Sequence, residues 1–349
     1  MTPPLDAAAA PLPSAEVPAP PRPPRTRPAQ RRFDRLVRLV REEGFARLQR
    51  AHVIVFGLGG VGGFAAEGLA RSGIGHITLV DFDVVCATNV NRQLQALHGT
   101  IGAPKADLLA ARLRLVNPQA QIVAVRDFFG ARNAATLLPA DGAPDWVIDA
   151  IDHRESKALL LDRCRALGIP VVSSMGAAGK LDPTAVRVGD LYESTTDPFA
   201  RSLRKRLRQR HGWPQGRLRG AQPTTGVTVV YSVESRRHPI APSWDGPAGF
   251  QCICPDDEFE VDLCAHRPQI EGSAVFVTSV FGMAAASVVV RGIVAECAAP
   301  TLDEQDALER MARDAVATSR PASDTVATSR PTSDTVATSR PACPTPQTP

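Results

Sequence analysis

The seven cysteines are scattered at irregular spacings along the 349 residues, and no pattern among them describes a disulfide framework. Residues 1–30 lack the compact apolar core of a secretory leader; they are proline and alanine with arginines. These two absences leave a reduced, cytoplasmic setting as the expectation. The net charge is only +4, yet residues 201–210 hold six basic side chains and no acid. Charge of either sign is missing from 272–290, but that run is interrupted by Gly, Ser and Thr and sits at the lower edge of spanning length. It reads as a buried strand followed by a core or interface helix, with a membrane span as the disfavoured alternative.

What is present is arranged around residues 53–93. Val53 to Phe56 is a short β-branched apolar run next to glycine, as expected of a strand buried on both faces of a parallel sheet. Gly57, Gly59 and Gly62 then fit G-x-G-x-x-G, with Gly60 between them. The turn must be tight, the backbone must approach a phosphate, and the next helix must lie against the strand. That helix, expected from Phe64 to Ala70, aims its unpaired N–H groups at an anion on the turn. Ile77 to Val80 reads as the next strand. Asp81 closes it, at a distance beyond Gly57 that suits a carboxylate accepting hydrogen bonds from a ribose. The unit reads as nucleotide-binding.

The following loop decides which nucleotide. Asp83, Asn89, Arg92 and Gln93, with Lys105 after Gly102-Ala-Pro, set carboxylate, amide, guanidinium and ammonium groups beside the phosphate site. A nicotinamide enzyme needs an open, fairly neutral surface there. Arg92 and Lys105 suit a triphosphate and the charge that develops as a phosphorus–oxygen bond breaks. Lys105 also opens a helix expected over 106–116, where a cation opposes the helix dipole. Trp146 to Ala150 reads as the fourth strand and leads to Asp152. A carboxylate just past the C-terminal end of a parallel strand faces the ligand crevice. Asp152 is therefore the candidate ligand for Mg²⁺ on the triphosphate, a hard cation that accepts one or two carboxylates plus phosphate oxygens. Capping the helix that starts near Arg154 is its other reading.

In this order GxGGVG, LVDFDxV, TNxNRQ, GxxKA and VIDAID resemble the ThiF/MoeB/E1-like adenylating superfamily. Together with Ser174-Met-Gly-Ala-Ala-Gly-Lys-Leu-Asp-Pro183 they most resemble its branch of tRNA threonylcarbamoyladenosine dehydratases, from about Arg32 to about Gly292. The resemblance implies an α/β, Rossmann-like mononucleotide-binding fold, its mainly parallel sheet extended by a smaller antiparallel C-terminal part. It implies ATP and Mg²⁺ as cofactors and a homodimer in which an N-terminal arginine reaches the partner subunit's phosphates. Arg38 is the candidate, with Arg35 second, on a basic amphipathic helix that pattern alone makes an ordinary solvated face. The implied reaction activates the carboxylate of N6-threonylcarbamoyladenosine, t6A, at tRNA position 37 and closes a ring with loss of water. Adenylation of a sulfur-carrier protein's C-terminus is the alternative, and the resemblance also admits a cysteine desulfurase and sulfur-acceptor system as partner.

Four parts are expected: a disordered Pro/Ala-rich tail over 1–30, an ATP-binding domain over 31–175, a substrate, tRNA and dimer part over 176–297, and a tail with ten-residue repeats over 298–349. In the third part Leu203 and Leu207 make an apolar stripe on a helix whose Arg201, Arg204, Lys205, Arg206 and Arg208 are candidate RNA contacts. Like charges so concentrated repel one another unless phosphates neutralise them. Aromatics for base stacking are scarce nearby, Trp213 and Phe199 being the close candidates. Cys252, Cys254, Cys264 and His266 are a weak zinc set or a source of a nucleophilic thiolate. C-x-C with C-x-H is not the paired C-x-x-C knuckle, and neither role is the expectation.

Overall fold

A computed structural model describes residues 31–214, 224–245, 271–301, 303–307 and 310–311. The chain divides into two compact units, Met1–Ala299 and Pro300–Pro349. In the second, Thr301 and Glu304 cap one another reciprocally: the Thr301 N–H donates to Glu304 Oε2 at 2.7 Å and the Glu304 N–H to Thr301 Oγ1 at 3.2 Å.

Seven strands build the first unit: β1 His52–Phe56, β2 His76–Val80, β3 Gln121–Val125, β4 Trp146–Asp149, β5 Val171–Ser174, β6 Val186–Asp190 and β7 Thr228–Ser232. They lie in the order 3-2-1-4-5-7-6, all parallel except β6, which runs antiparallel to β7. The helices are α1 Asp34–Arg50, α2 Gly62–Arg71, α3 Lys105–Val116, α4 Ala134–Leu137, α5 Arg154–Leu167, α6 Pro198–His211 and α7 Val275–Val294. After β3 the chain returns to the far side of β1, so the order reverses between β1 and β4. Doubly wound sheets hold their ligands at such a reversal, outside the C-terminal strand ends.

The apolar runs of the strands serve two cores by simple alternation. Val53, Val55, Ile77 and Leu79 face one cluster, made with α1, α2, α3 and α7. Ile54, Phe56, Val80 and Val147 face the other, made with α4, α5 and α6. This is why the strand sequences read as continuous hydrophobic runs.

The charge-free run behaves only partly as expected. Residues 271–274 join no strand; the helix α7 begins at Val275, and among the described residues it is the one helix long and apolar enough to cross a membrane. Val277, Phe281, Ala285 and Val289 on it are fully buried in the core formed with α1 and α2. Gly282 sits so close to the Val61 carbonyl and the Ala65 N–H that a side chain there would push α7 off α2. Helix α1 is kinked at Arg41, at φ 61 and ψ 171, a backbone region used almost solely by glycine.

Candidate functional site

Gly57 leaves β1 with φ +82, and a Cβ there would stand 2.8 Å from the Ala150 carbonyl oxygen. At Gly62 a Cβ would collide with the Gly57 carbonyl, so these two glycines close the turn and seat α2. Gly59 differs. A Cβ there would meet only Gln93 Nε2, at 3.8 Å, so this side of the turn is open to a ligand. Gly60 lies under Arg92, whose Cγ and carbonyl oxygen would each stand 3.2 Å from its Cβ. No side chain caps the first turn of α2, where the Gly63 N–H donates to the Gly59 carbonyl at 3.1 Å.

Asp81 braces the turn from below. One carboxylate oxygen accepts from the Leu58 N–H, and the other accepts from the Asp83 N–H at 2.8 Å. Burial pushes its carboxyl up, against the opposing pull of Lys105 and the two N–H groups. Lys105 opens α3 and is itself buried, its ammonium on the Asp83 carboxylate and its N–H on the Asp83 carbonyl at 3.0 Å. Burial alone would lower its pKa; Asp81, Asp83 and Asp152 together more than offset that and raise it. A lysine at the wrong end of a helix dipole is thus held charged by three carboxylates.

The polar loop is folded by its own amides. Asn89 Oδ1 accepts from the Cys86 N–H at 3.1 Å, while the Asn89 carbonyl accepts from the N–H groups of Arg92 and Gln93 at 3.0 and 2.9 Å. Arg92 Nη1 donates to the Thr88 carbonyl and to Asn91 Oδ1, which fixes the guanidinium stem over Gly60. Asn91 Nδ2 in turn donates to the Ser273 carbonyl at 2.9 Å, tying the loop to the entry of α7. Asn89 and Gln93 are buried, so they shape the loop, with Gln93 turned toward Gly59.

Asp152 is exposed past the end of β4, and its charge biases both Lys105 and Lys157 toward the charged form. It does not cap α5. That position belongs to His153, whose Nδ1 accepts from the Ser156 N–H. Arg35 and Arg38 are exposed on α1, on the N-terminal side of the Arg41 kink.

Four buried charges have no role in the motif reading, although Asp149 and Lys180 lie within its motifs. Lys157 is wholly buried, 2.8 Å from the Asp149 carboxylate, which also accepts from Ser173 Oγ at 2.7 Å and from the Ile151 N–H at 3.1 Å. Burial lowers the Lys157 pKa even with Asp149, Asp152 and Asp197 pulling the other way. Lys180 donates to the Gly176 carbonyl, and burial likewise lowers its pKa. Asp197 caps α6 through the Phe199 N–H at 2.8 Å and holds the Gly176 N–H at 2.8 Å. The signal for Lys157 lies in its spacing: with Leu160, Leu161 and Cys164 it falls on the buried stripe of α5, where a lysine must be paired.

On α6, Leu203 and Leu207 are buried. Its basic residues divide. Arg204 donates to the carbonyls of Leu191 and Ser194, at 3.1 and 2.8 Å. Arg206 and Arg210 both pair with Glu155, at 2.5 and 2.9 Å. Arg201, Lys205 and Arg208 remain, four and then three residues apart on one face, with no ion pair to a described residue. Trp213 is buried with its Nε1 on Asp162 at 2.8 Å, so it offers no stacking face; Phe199 is half-buried.

Cys252, Cys254, Cys264, His266 and both tails lie outside the described residues, except for the short stretches from 298 to 311. Among the described residues no three His, Cys, Asp or Glu side chains converge as a metal site. The donor set fits a nucleotide: N–H groups at an open glycine turn, a guanidinium, a charged ammonium and a carboxylate. Toward Mg²⁺ it offers one exposed carboxylate, Asp152, which would hold the ion only together with phosphate oxygens.

The family model described as the ThiF family matches residues 33–326. The chain is 38% identical over 269 residues to the tRNA threonylcarbamoyladenosine dehydratase of Escherichia coli, covering 77% of this chain and 96% of that protein. It is 42% identical to the protein of the same name from Bacillus subtilis, covering 58% of this chain and 75% of the relative. The E. coli dehydratase solved in complex with ATP matches at a TM-score of 0.63 and 36% identity, over 76% of this chain and 95% of that one.

Proposed function

The chain belongs to the ThiF family, and from that premise we infer that it is an ATP-dependent, E1-like tRNA dehydratase. It activates the carboxylate of N6-threonylcarbamoyladenosine and closes it to cyclic t6A. One observation supports this reading most: a glycine turn open at Gly59 with Arg92 over Gly60, next to Lys105, whose charge Asp81, Asp83 and Asp152 favour. The family's sulfur-carrier branch would use the same ATP chemistry on a protein C-terminus and is less supported, because relatives named as tRNA dehydratases match over most of the chain.

The chemistry explains the cations. A carboxylate is a poor electrophile because oxide is a poor leaving group; transferring a phosphorus group from ATP to one carboxylate oxygen turns that oxygen into part of a good one. An oxygen of the same modification then attacks the carbonyl carbon, closing the ring, and the phosphorylated oxygen departs with the nucleotide or phosphate product. In this scheme the N–H groups of Gly59, Gly60 and Gly62 seat the phosphates, and Asp81 uses its remaining lone pairs on the ribose. Arg92 and Lys105 balance charge on the departing phosphates, Lys105 without proton exchange because its carboxylate neighbours keep it charged. Asp83 holds Lys105, while Asn89 and Gln93 hold the loop under the nucleotide. Asp152 would hold Mg²⁺, which when bound neutralises phosphate oxygens as the bond breaks. In a homodimer Arg38, projecting from the far side of the α1 kink, would complete the partner's site. Arg201, Lys205 and Arg208 would follow the RNA backbone, Arg204 and Arg206 holding α6 in place beneath them. Such a reaction suits a reduced, cytoplasmic setting.

Incubation with ATP, Mg²⁺ and t6A-containing tRNA, followed by nucleoside mass spectrometry, tests the reading. Loss of one water from the modified nucleoside is expected. Unchanged RNA, alongside ATP–pyrophosphate exchange driven by a small carrier protein, would replace it with the sulfur-carrier reading.

A further inference from the structure

Beside Asp152, α5 and α6 meet at an arginine and an aromatic ring. Arg154 is the first residue of α5 and lies two residues past Asp152. Its guanidinium sits 5.5 Å from the centroid of the Phe199 ring, and Lys157 Nζ stands 5.9 Å from the same ring. Phe199 belongs to the first turn of α6, and its Cβ lies 3.3 Å from where a side chain on Gly176 would begin. The ring therefore fills the corner between β5, α5 and α6, with Arg154 exposed above it.

Three features single out Arg154. It has no ion pair to a described residue, although the adjacent Glu155 binds two arginines of α6. It occupies a helix N-terminus, where the dipole disfavours a cation. Glu155 ties α6 to α5, which holds the Phe199 ring on α6 beside the first turn of α5, with the Arg154 guanidinium carbon 5.5 Å from the ring centroid.

The reacting carboxylate hangs from the exocyclic nitrogen of an adenine. For it to reach Arg92, Lys105 and Asp152, the base must leave its own stack and be held at the rim of the crevice, and guanidinium planes and aromatic rings are the surfaces on which such bases stack. We propose that Arg154, backed by Phe199, is the stacking platform for the modified adenine of the tRNA. This rests on the dehydratase reading and assigns its specificity-determining contact.

The test uses the full-length protein and an anticodon stem-loop, with t6A for turnover and with 2-aminopurine at the same position for fluorescence. Arg154→Ala should lower kcat/KM for the RNA roughly tenfold or more, as loss of a base stack does, and abolish the fluorescence change on binding. ATP affinity and the thermal midpoint should stay as in the wild type. Arg154→Lys keeps the charge and loses the plane, so it should behave like Arg154→Ala; Phe199→Leu keeps the packing and should show a smaller loss in the same direction. Full rescue by Arg154→Lys, or a fluorescence change that persists in every variant while the wild type makes product, would overturn the platform and leave the dehydratase reading standing. No product from the wild type would remove both.

Discussion

Two buried lysines flank Asp152, and their environments separate them. Lys105 has Asp81, Asp83 and Asp152 around it, and their combined field raises its pKa against the effect of burial. Lys157, wholly enclosed on α5 beside Asp149, is lowered because burial outweighs its neighbours. We read the first as the cation on the ligand side and the second as a structural counter-charge to Asp149, the last residue of β4. Each lysine has three carboxylates near it, so the difference lies in the balance: around Lys105 their combined pull exceeds the effect of burial, and around Lys157 burial exceeds theirs.

Of the two lysines, Lys157 should be the less tolerant of replacement. Lys157→Met leaves the Asp149 charge buried without its partner and should cost about 3–5 kcal/mol of stability, read by urea unfolding. The double variant with Asp149→Asn should recover much of that loss. If Lys157→Met is as stable as the wild type but inactive, Lys157 belongs to the chemistry and the contrast is wrong.

On the other side of Asp152, Arg92→Ala removes a half-exposed side chain whose own hydrogen bonds go to the loop. Turnover should fall roughly 10²–10³-fold with the unfolding midpoint little changed. A near-normal rate would take Arg92 out of the site.

The α6 arginines repeat the lesson at the surface, where partners again decide the role. Replacing Arg201, Lys205 and Arg208 together by Ala should weaken tRNA binding and make its log–log salt dependence shallower by roughly 2–3. Arg210→Ala, which disturbs a residue already bound to Glu155, should leave that slope nearly unchanged. Equal effects from both would return the helix to an ordinary wet surface.

This is also where legibility in the sequence ended. The strands, the glycine turn and Lys105 were readable because each is a local pattern: a β-branched run, a fixed glycine spacing, a cation where a helix starts. The concentration of α6 arginines was equally visible, but their partners were not. Glu155 lies on another helix, and the Leu191 and Ser194 carbonyls are backbone groups with no residue signature. Trp213 had the right chemistry for stacking and the wrong exposure, set by Asp162 across the sequence. The strand expected before α7 failed because its residues find no neighbour in the ladder.

Far from the crevice, at the other end of the strands, His52 and His76 stack with ring centroids 3.7 Å apart. Burial, with the charge of His76 adding to it, holds the His52 imidazole down at about 4, from an ordinary value of 6.5. A depressed folded pKa means the unfolded chain binds the proton first. The stability contributed by neutral His52 is therefore complete above about pH 6.5 and is lost as pH falls toward 4. His52→Gln should flatten the pH dependence of the unfolding midpoint across that window; an unchanged slope would assign it to other groups. Smallest of all, Arg41→Gly should stabilise the chain by about 1 kcal/mol, by relieving the α1 kink against glycine's extra flexibility. Destabilisation would show that the kink is held by contacts of the Arg41 side chain.

The central claim is that a carboxylate oxygen is transferred to phosphorus in this crevice. Labelling the t6A carboxylate with oxygen-18 and analysing the nucleotide and phosphate products of a single turnover tests it most directly. The account predicts one labelled oxygen in the phosphorus-containing product for each ring closed. Cyclic t6A that keeps one labelled oxygen while the other appears in bulk water, with none on phosphorus, would contradict it.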